Sequence, residues 1–412
     1  MAGLIITLYR ILGNILIWPA VLILGRHPNF RSTILQRLSI KLPSIPAGSE
    51  VLWVHAASVG EVKAVEGLIK TIKAGRPELF VCLSSVTVTG RDVALRISEI
   101  DMVFPFPFDL AWVMRRYLLR VQPRVLMIVE TELWPNMILA AERAGIPVVF
   151  VNARMTSRSY HRYEKIRFVI REVLKKVSVF AIAQRDGQRY CGLGAKSVEV
   201  LGNLKLDTVG EVDSKKRMSL KKGLGIENTK VFIAGSIREG EESDVLEAIA
   251  YAASRTPGLY SIVAPRHTKM LAVLKDMADH KGLKWGLRSA MPAGIDVLFI
   301  DTFGELFDLY GVSDVAFVGG SLKDLGGQNI LEPISWGIPT IHGPSMDNFS
   351  WALEIVQGLT VQIENAVELG PAVTEILMHK DKYDRLAREA QAALYSRRGV
   401  VERYIEALRR FM

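Results

Sequence analysis

The chain has 412 residues, a formal net charge of +9 and 49% hydrophobic residues. This length suits two or three domains, and two cysteines provide neither a disulfide framework nor metal-ligand spacing. The basic excess favours an acidic partner, such as an anionic lipid or a phosphorylated substrate. No arginine-rich tract with interleaved aromatic residues occurs, which argues against nucleic acid as a partner.

Residues 1–25 are almost entirely apolar, and Arg10 is the one charged residue among them. A basic cluster follows, formed by Arg26, His27, Arg31, Arg37 and Lys41. Because a membrane-spanning helix needs about 20 apolar residues, the pattern predicts an uncleaved membrane anchor over residues 1–25. The positive-inside rule then places the rest of the chain in the cytoplasm. Two alternatives remain, an ordinary buried helix and an interfacial helix that lies among the lipid headgroups.

After this segment, short β-rich runs alternate with helical patterns, which is typical of a doubly wound parallel sheet. The pattern predicts an α/β fold with an N-terminal domain over residues 26–207, a charged linker over 208–225 and a C-terminal domain over 226–412. A cleft is expected between the two domains. The predicted strands are residues 51–56, 79–84, 124–129, 147–151, 179–183 and 197–201, then 230–235, 259–264, 297–300, 315–318 and 338–341.

Three motifs in the first half follow predicted strands, where open α/β sheets build their sites. His-Ala-Ala-Ser-Val-Gly-Glu, at residues 55–61, brings the carboxylate of Glu61 to a helix start. That acid either acts as a catalytic base or complements the helix dipole. Glu-Thr-Glu-Leu-Trp-Pro-Asn, at residues 130–136, opens with Glu130, and Gly-Asn-Leu-Lys-Leu-Asp, at residues 202–207, offers Lys205. Ordinary loop polarity is the alternative explanation for both.

The second half carries a pattern suited to a nucleotide. A glycine-rich stretch at residues 319–333 ends in a predicted helix from Gln328, with Asn329 and Glu332 on adjoining faces. Glycines allow backbone amides to approach a phosphate, and a carboxylate there can accept ribose hydroxyls. Arg266, at a strand end, can bind a phosphate. The loop at residues 301–306 can read a base edge, and the turn at residues 235–242 can bind an anion through Ser236 and its amides. Seven histidines occur without a pair at metal-ligand spacing.

Together, the motifs at residues 55–61, 130–136, 202–207, 265–267, 301–306 and 326–333 resemble those of the 3-deoxy-D-manno-octulosonic acid (Kdo) transferases of lipopolysaccharide synthesis. The similarity runs over essentially the whole chain. It implies a membrane-anchored glycosyltransferase of the GT-B type at the cell inner membrane. It also implies inverting transfer of Kdo from CMP-Kdo to a lipid A precursor, the tetraacyldisaccharide 4'-phosphate, without a metal or other cofactor.

The resemblance also implies roles for individual residues. Glu61 would deprotonate the acceptor hydroxyl, and Glu130 and Lys205 would stabilise the transition state. The residues that would hold CMP are Pro265, Arg266, Phe303, Gly304, Glu305, Asn329, Ile330, Leu331 and Glu332. The chain departs from the family pattern at Gln328, where a histidine is common, and at Asn203, where a small hydroxyl residue is common.

Two other classes of function remain open. One is another GT-B enzyme, such as a UDP-sugar transferase or a sugar epimerase, because a glycine-rich loop with a ribose-binding acid is widely shared. An epimerase would need no membrane anchor. The other is a non-catalytic, membrane-bound binder of nucleotide or lipid.

Overall fold

The computed structural model describes residues 2–26, 28–290 and 293–412. The chain forms two compact units, the first made of Met1–Thr208 and Gly399–Met412 and the second of Val209–Arg398. The predicted C-terminal domain runs to Met412, whereas in the structure the last 14 residues belong to the first unit. The predicted linker, residues 208–225, lies almost wholly in the second unit. It holds a helix over Ser214–Leu224 because Asp213 caps its start and Gly225, at φ +68°, ends it.

The first unit is built on a seven-stranded sheet in which every pair of neighbouring strands is parallel. Its spatial order is β3-β2-β1-β4-β5-β6-β7. The central strands are buried apolar runs, as expected of a sheet covered on both faces. The strands are β1 (Val51–His55), β2 (Phe80–Ser85), β3 (Met102–Pro105), β4 (Val125–Val129), β5 (Val148–Ala153), β6 (Val177–Ala181) and β7 (Ser197–Val200). The sequence pattern missed β3.

Helices cover both faces of this sheet and contribute to a core around Trp53, Phe104 and Tyr117. The sequence pattern predicts one helix over residues 163–176, but the structure divides it between two helices because Ile166 leaves helical geometry at φ −120°, ψ 28°. The helices are α1 (Ala2–Leu24), α2 (Pro28–Arg31), α3 (Ile34–Arg37), α4 (Val59–Gly75), α5 (Val88–Ala94), α6 (Ala111–Val121), α7 (Pro135–Arg143), α8 (Ser157–Glu164), α9 (Arg167–Leu174) and α10 (Gln184–Leu193).

The second unit repeats this architecture with a parallel sheet in the order β10-β11-β9-β8-β12-β13-β14. Its strands are β8 (Val231–Ile237), β9 (Tyr260–Pro265), β10 (Trp285–Leu287), β11 (Val297–Phe299), β12 (Val315–Val318), β13 (Thr340–His342) and β14 (Val361–Gln362). Its helices are α11 (Ser214–Leu224), α12 (Glu242–Arg255), α13 (Leu271–His280), α14 (Leu306–Val312), α15 (Leu331–Ser335), α16 (Ser350–Ile355), α17 (Leu369–Met378) and α18 (Lys380–Tyr395). The very short strands β10 and β14 were missed by the sequence pattern.

Helix α1 is long and apolar enough to cross a membrane by length and composition. Most of its apolar side chains are exposed, among them Leu8, Ile15 and Leu22. Of the basic cluster that follows, His27 lies outside the described residues, and Arg37 is buried, with its guanidinium donating to the carbonyl oxygens of Val86 and Phe106.

Helix α19 (Val400–Leu408) completes the first unit through the buried hydroxyl of Tyr404. This hydroxyl accepts from the amide of Asn152 at 3.1 Å and donates to the carbonyl oxygen of Gly202 at 3.1 Å. The carboxylate of Asp207 accepts from the amides of Gly399 and Val401 at 3.0 and 2.7 Å. Residues 399–412 are therefore fastened to the ends of β5 and β7.

Replacing Tyr404 by phenylalanine should lower the free energy of unfolding by about 1–2 kcal/mol, because a buried amide loses its acceptor. We expect urea denaturation to show this loss. The matched control is Tyr383→Phe, whose hydroxyl lies 3.5 Å from the exposed Lys382 Nζ. A loss in Tyr404→Phe no larger than in that control would contradict the structural role of the hydroxyl.

Candidate functional site

In the first unit, the direction in which strands are added to the sheet reverses between β1 and β4, which are direct neighbours. The loops that follow two such strands run to opposite faces of the sheet and leave a crevice between them. Open α/β sheets bind ligands in this crevice. The loop after β1 leads to Glu61, and the loop after β4 begins with Glu130. The structure thus brings these two predicted residues to one edge of the sheet.

Glu61 is held in place by the start of α4. Its Oε2 accepts from the amide of Ala57 at 2.7 Å, and its Oε1 accepts from Ser58 Oγ at 3.1 Å. Ser58 is also the N-cap of α4, so the pair forms a variant of the capping box. The carbonyl oxygen of Ala57 accepts from the hydroxyls of Ser85 and Thr87, which ties the loop to the neighbouring strand. The carboxylate is therefore both buried and fixed in orientation.

Burial raises the pKa of Glu61 to about 7, and the negative charges of Glu130 and Glu132 also raise it, against the hydrogen bonds from Ala57 and Ser58. At neutral pH the carboxyl group is thus poised between its two protonation states, as suits a general base. The structure adds Glu132 to this acidic group. Burial raises the pKa of Glu132, and the negative charge of Glu130 raises it further. The sequence offered a signal for it, since Glu132 stands two residues after Glu130.

His55, the first residue of the same motif, is part of the packing. Its ring is fully buried and stacks on Phe106 with the ring centroids 4.0 Å apart. Burial lowers the pKa of His55 to about 3, against a hydrogen bond with Ser84, so the ring is neutral at pH 7. His55 thus supports the loop that carries Glu61.

Glu130 and Asn152 occupy left-handed backbone conformations, with φ of +59° and +53°. Such conformations are uncommon outside glycine and concentrate at functional sites. Asn152, in the adjacent strand β5, accepts from the amide of Leu204 through its Oδ1 at 3.0 Å. The side chain of Asn203 accepts from the amide of Lys205 at 3.0 Å. Asn152, which sequence reasoning missed as a site residue, thus fastens the turn that carries Lys205 to the end of β5.

In the second unit, the equivalent reversal lies between β8 and β12. Arg266 follows β9, and Glu332 stands in the first turn of α15, which follows β12. Asn329 Nδ2 donates to Glu332 Oε1 at 2.9 Å. Burial raises the pKa of Glu332, while Asn329 and the positive charge of Arg266 lower it. The structure therefore brings Arg266, Asn329 and Glu332 together as one polar group.

The other predicted donor residues differ in what they can offer. Ile330 and Leu331 are buried side chains, so the backbone is their available polar part. Phe303 is 85% exposed, and Gly304 has φ +87°, a conformation that favours glycine. Glu305 accepts from Arg288 Nε at 2.9 Å and from Thr302 Oγ1, so its carboxylate orients the loop. This loop follows β11, the neighbour of β9, which ends at Pro265.

The predicted anion site at residues 235–242 is occupied by the protein's own carboxylates. Glu241 is fully buried and accepts from the amides of Arg238, Gly320 and Leu322 at 2.8, 2.7 and 3.1 Å. Glu242 accepts from the amide of Gly240 at 2.7 Å. These amides therefore hold the turn against the glycine-rich loop. The helix expected from Gln328 begins at Leu331, because residues before it continue that loop.

Sequence reasoning also missed Tyr310, which is buried with its hydroxyl against Gly235. A Cβ on Gly235 would stand 1.9 Å from its hydroxyl oxygen, so glycine is required at that position. Burial raises the pKa of Tyr310, and the charge of Glu332 adds to that effect. Among the described residues, no group of three His, Cys, Asp or Glu side chains is placed to hold a metal ion.

The carboxyl group of Glu61 should titrate near pH 7, which carbon-detected NMR on the glutamate-labelled chain can measure, with Glu61→Gln for assignment. Replacing Glu132 by glutamine removes a like charge, so the pKa of Glu61 should fall, by up to about one unit. The control Glu66→Gln, on α4, removes a partly exposed carboxylate that pairs with Lys70, and it should leave the pKa of Glu61 unchanged. Titration in the ordinary glutamate range near 4.3 would contradict this electrostatic arrangement.

Comparison with known proteins adds family and fold. Residues 32–208 match the family model described as 3-deoxy-D-manno-octulosonic-acid transferase (kdotransferase). The chain is 30% identical to the 3-deoxy-D-manno-octulosonic acid transferase of Haemophilus influenzae, over 94% of this chain and 93% of the relative. It is 32% identical to the enzyme of that name from Bordetella pertussis, over 87% of this chain and 86% of the relative.

Among solved structures, a glycosyltransferase from Rickettsia africae matches with a TM-score of 0.62 at 13% identity, over 88% of this chain and 99% of that one. At this identity the likeness shows the fold alone. Together with the two parallel-sheet units, this structural likeness confirms the predicted GT-B fold class.

Proposed function

The chain belongs to the family of 3-deoxy-D-manno-octulosonic acid transferases, and from this premise we propose that it transfers Kdo from CMP-Kdo to a lipid A precursor with inversion. The observation that carries the proposal is the buried carboxyl group of Glu61, whose pKa is raised to about 7 by burial and neighbouring acids. A base with this pKa is deprotonated in a large fraction of molecules at neutral pH and still accepts a proton readily.

In the proposed reaction, Glu61 takes the proton from the acceptor hydroxyl as its oxygen bonds to the anomeric carbon of Kdo. The bond from that carbon to the CMP phosphate breaks, and its electron pair leaves with CMP. Attack from the face opposite the leaving group inverts the anomeric centre. The first unit supplies the base, and the second unit holds the donor.

Charge develops at two places during this step. Positive charge at the sugar ring is stabilised by the carboxylate of Glu130, since the transition state has oxocarbenium character. Negative charge on the departing phosphate is stabilised by the ammonium group of Lys205 and by Arg266. These positive groups supply the stabilisation, and the proposal includes no metal and no cofactor.

The donor contacts follow from the polar group in the second unit. Glu332, oriented by Asn329 at 2.9 Å, accepts the ribose hydroxyls, and Arg266 binds the phosphate. Pro265, Ile330 and Leu331 shape the pocket through their backbone, and the loop of Phe303, Gly304 and Glu305 contacts the base. The acceptor is a phosphorylated and acylated lipid, which the basic excess and the apolar helix α1 suit. We infer that the enzyme acts at the cytoplasmic face of the cell inner membrane.

Replacing Glu61 by glutamine should reduce transfer about 10²–10⁴-fold, because the acceptor hydroxyl loses its base. CMP-Kdo binding should persist. The measurement is incubation with CMP-Kdo and a lipid A precursor, with products resolved by mass. The matched control, Glu66→Gln on the same helix, removes an exposed pair with Lys70 and should keep full activity. Full activity in Glu61→Gln would remove this residue from the mechanism.

Replacing Arg266 by glutamine should weaken CMP binding about 10- to 100-fold, the worth of a charge-assisted hydrogen bond to phosphate. Isothermal titration calorimetry on the full chain measures the dissociation constant of CMP. The control, Arg385→Gln on α18, removes the same charge and should leave CMP binding unchanged. The same titration compares nucleotides. Tighter binding of UDP than of CMP would overturn the donor assignment and favour a UDP-sugar enzyme.

A further inference from the structure

A cavity of about 740 Å³ lies in the first unit between α6, α7 and α1. Three arginines line it, Arg10, Arg115 and Arg143, while no aspartate or glutamate is among its described lining residues. Its other walls are largely apolar and include Trp112 and Leu119, both exposed. The cavity therefore combines a cationic wall with an apolar one, within the size range of small-molecule sites.

No carboxylate is among the described lining residues, although Asp109, outside the lining, attracts Arg10. Arg143 lies close enough to Arg10 for their like charges to repel. Arg10 donates through Nε to Asn136 Oδ1 at 2.9 Å, which is a neutral partner. An anion between the guanidinium groups would relieve the repulsion, and a phosphate can accept hydrogen bonds from more than one of them.

Helix α1 is docked along the first unit beside this cavity. Tyr9 donates to Asp109 Oδ2 at 2.9 Å, Arg10 contacts Asn136, and Ile17 is buried in the core. These contacts extend over about 12 Å of the helix, at 1.5 Å per residue. If α1 crossed a bilayer upright, the charged Asp109 and Arg115 would stand at hydrocarbon depth, which is costly. The geometry therefore points to a helix that lies in the plane of the interface.

One end of the cavity, at Asn136, lies on the side of the sheet edge that carries Glu61, and the rest of it extends toward the opposite edge. It reaches Gln122 and Ile146, which precede β4 and β5, whereas Glu61 and Glu130 follow the carboxyl ends of β1 and β4. A strand of five residues separates the two edges by about 17 Å. An occupant at Arg143, the last residue of α7, therefore lies toward the edge opposite Glu61.

We propose that this cavity binds an anionic phospholipid of the bilayer on which α1 lies. Its phosphate contacts Arg10, Arg115 and Arg143, and its acyl chains run past Trp112 and Leu119 onto the outward apolar face of α1. The bound lipid fixes the first unit at the membrane surface. This inference does not depend on the transfer reaction.

The test uses the full chain in neutral detergent micelles doped with chain-brominated phosphatidylglycerol, which quenches nearby tryptophan. The part of the quenching that Trp112→Phe abolishes reports on the cavity. We expect Arg115→Gln/Arg143→Gln to weaken phosphatidylglycerol binding about tenfold or more. The control Arg96→Gln/Arg116→Gln removes the same charge from exposed positions of the first unit and should change it less than about twofold.

Three results would overturn the proposal. Equal weakening in the two double variants would mean general attraction to a basic surface. Equal quenching of Trp112 by brominated phosphatidylcholine would mean that the cavity does not recognise the negative charge. Displacement of the brominated lipid by one equivalent of a lipid A precursor, but not by one equivalent of phosphatidylglycerol, would assign the cavity to the acceptor. None of these results bears on whether Glu61 is the base.

Discussion

The reversal of strand order beside the first strand of each sheet is the constraint from which both candidate sites follow. In each unit the chain first builds the sheet on one side of β1 or β8, then returns to pair the other side of that strand with β4 or β12. Two loops that are far apart in sequence are thereby brought side by side at the carboxyl edge. Glu61 and Glu132, which follow β1 and β4, then share one environment, and burial together with the repulsion of neighbouring acids raises the pKa of each.

Much of this arrangement was accessible from the sequence. Buried parallel strands are continuous runs of Val, Ile and Leu, so the central strands were predicted within a few residues. The motifs that follow these strands identified Glu61, Arg266 and Glu332 as candidate site residues. Strands β3, β10 and β14 were missed because they are short and lie toward the sheet edges. Such strands are defined by backbone hydrogen bonds to a neighbouring strand and not by a local pattern of apolar residues in the sequence.

What sequence could not supply was the identity of each polar partner. The turn at residues 235–242 has the composition of an anion site, yet Glu241 from the same turn satisfies its amides and those of the glycine-rich loop. Asn152 reads as a loop residue, but in the fold it fixes the turn of Lys205. Tyr404 is more than 200 residues from the strands it fastens. These contacts arise from tertiary placement, which leaves no periodic signal.

The return of the last helix to the first unit has a consequence for how the polypeptide is made. Residues 399–412 leave the ribosome only after the whole of the second unit, although they complete the first. The second unit is continuous in sequence and can fold while synthesis proceeds, whereas the first must wait with the hydrogen-bonding groups around Asn152 and Gly202 uncovered. The half of the molecule translated first is thus the half finished last, and a released chain truncated shortly before residue 399 would contain nearly the whole second unit beside an unfinished first one.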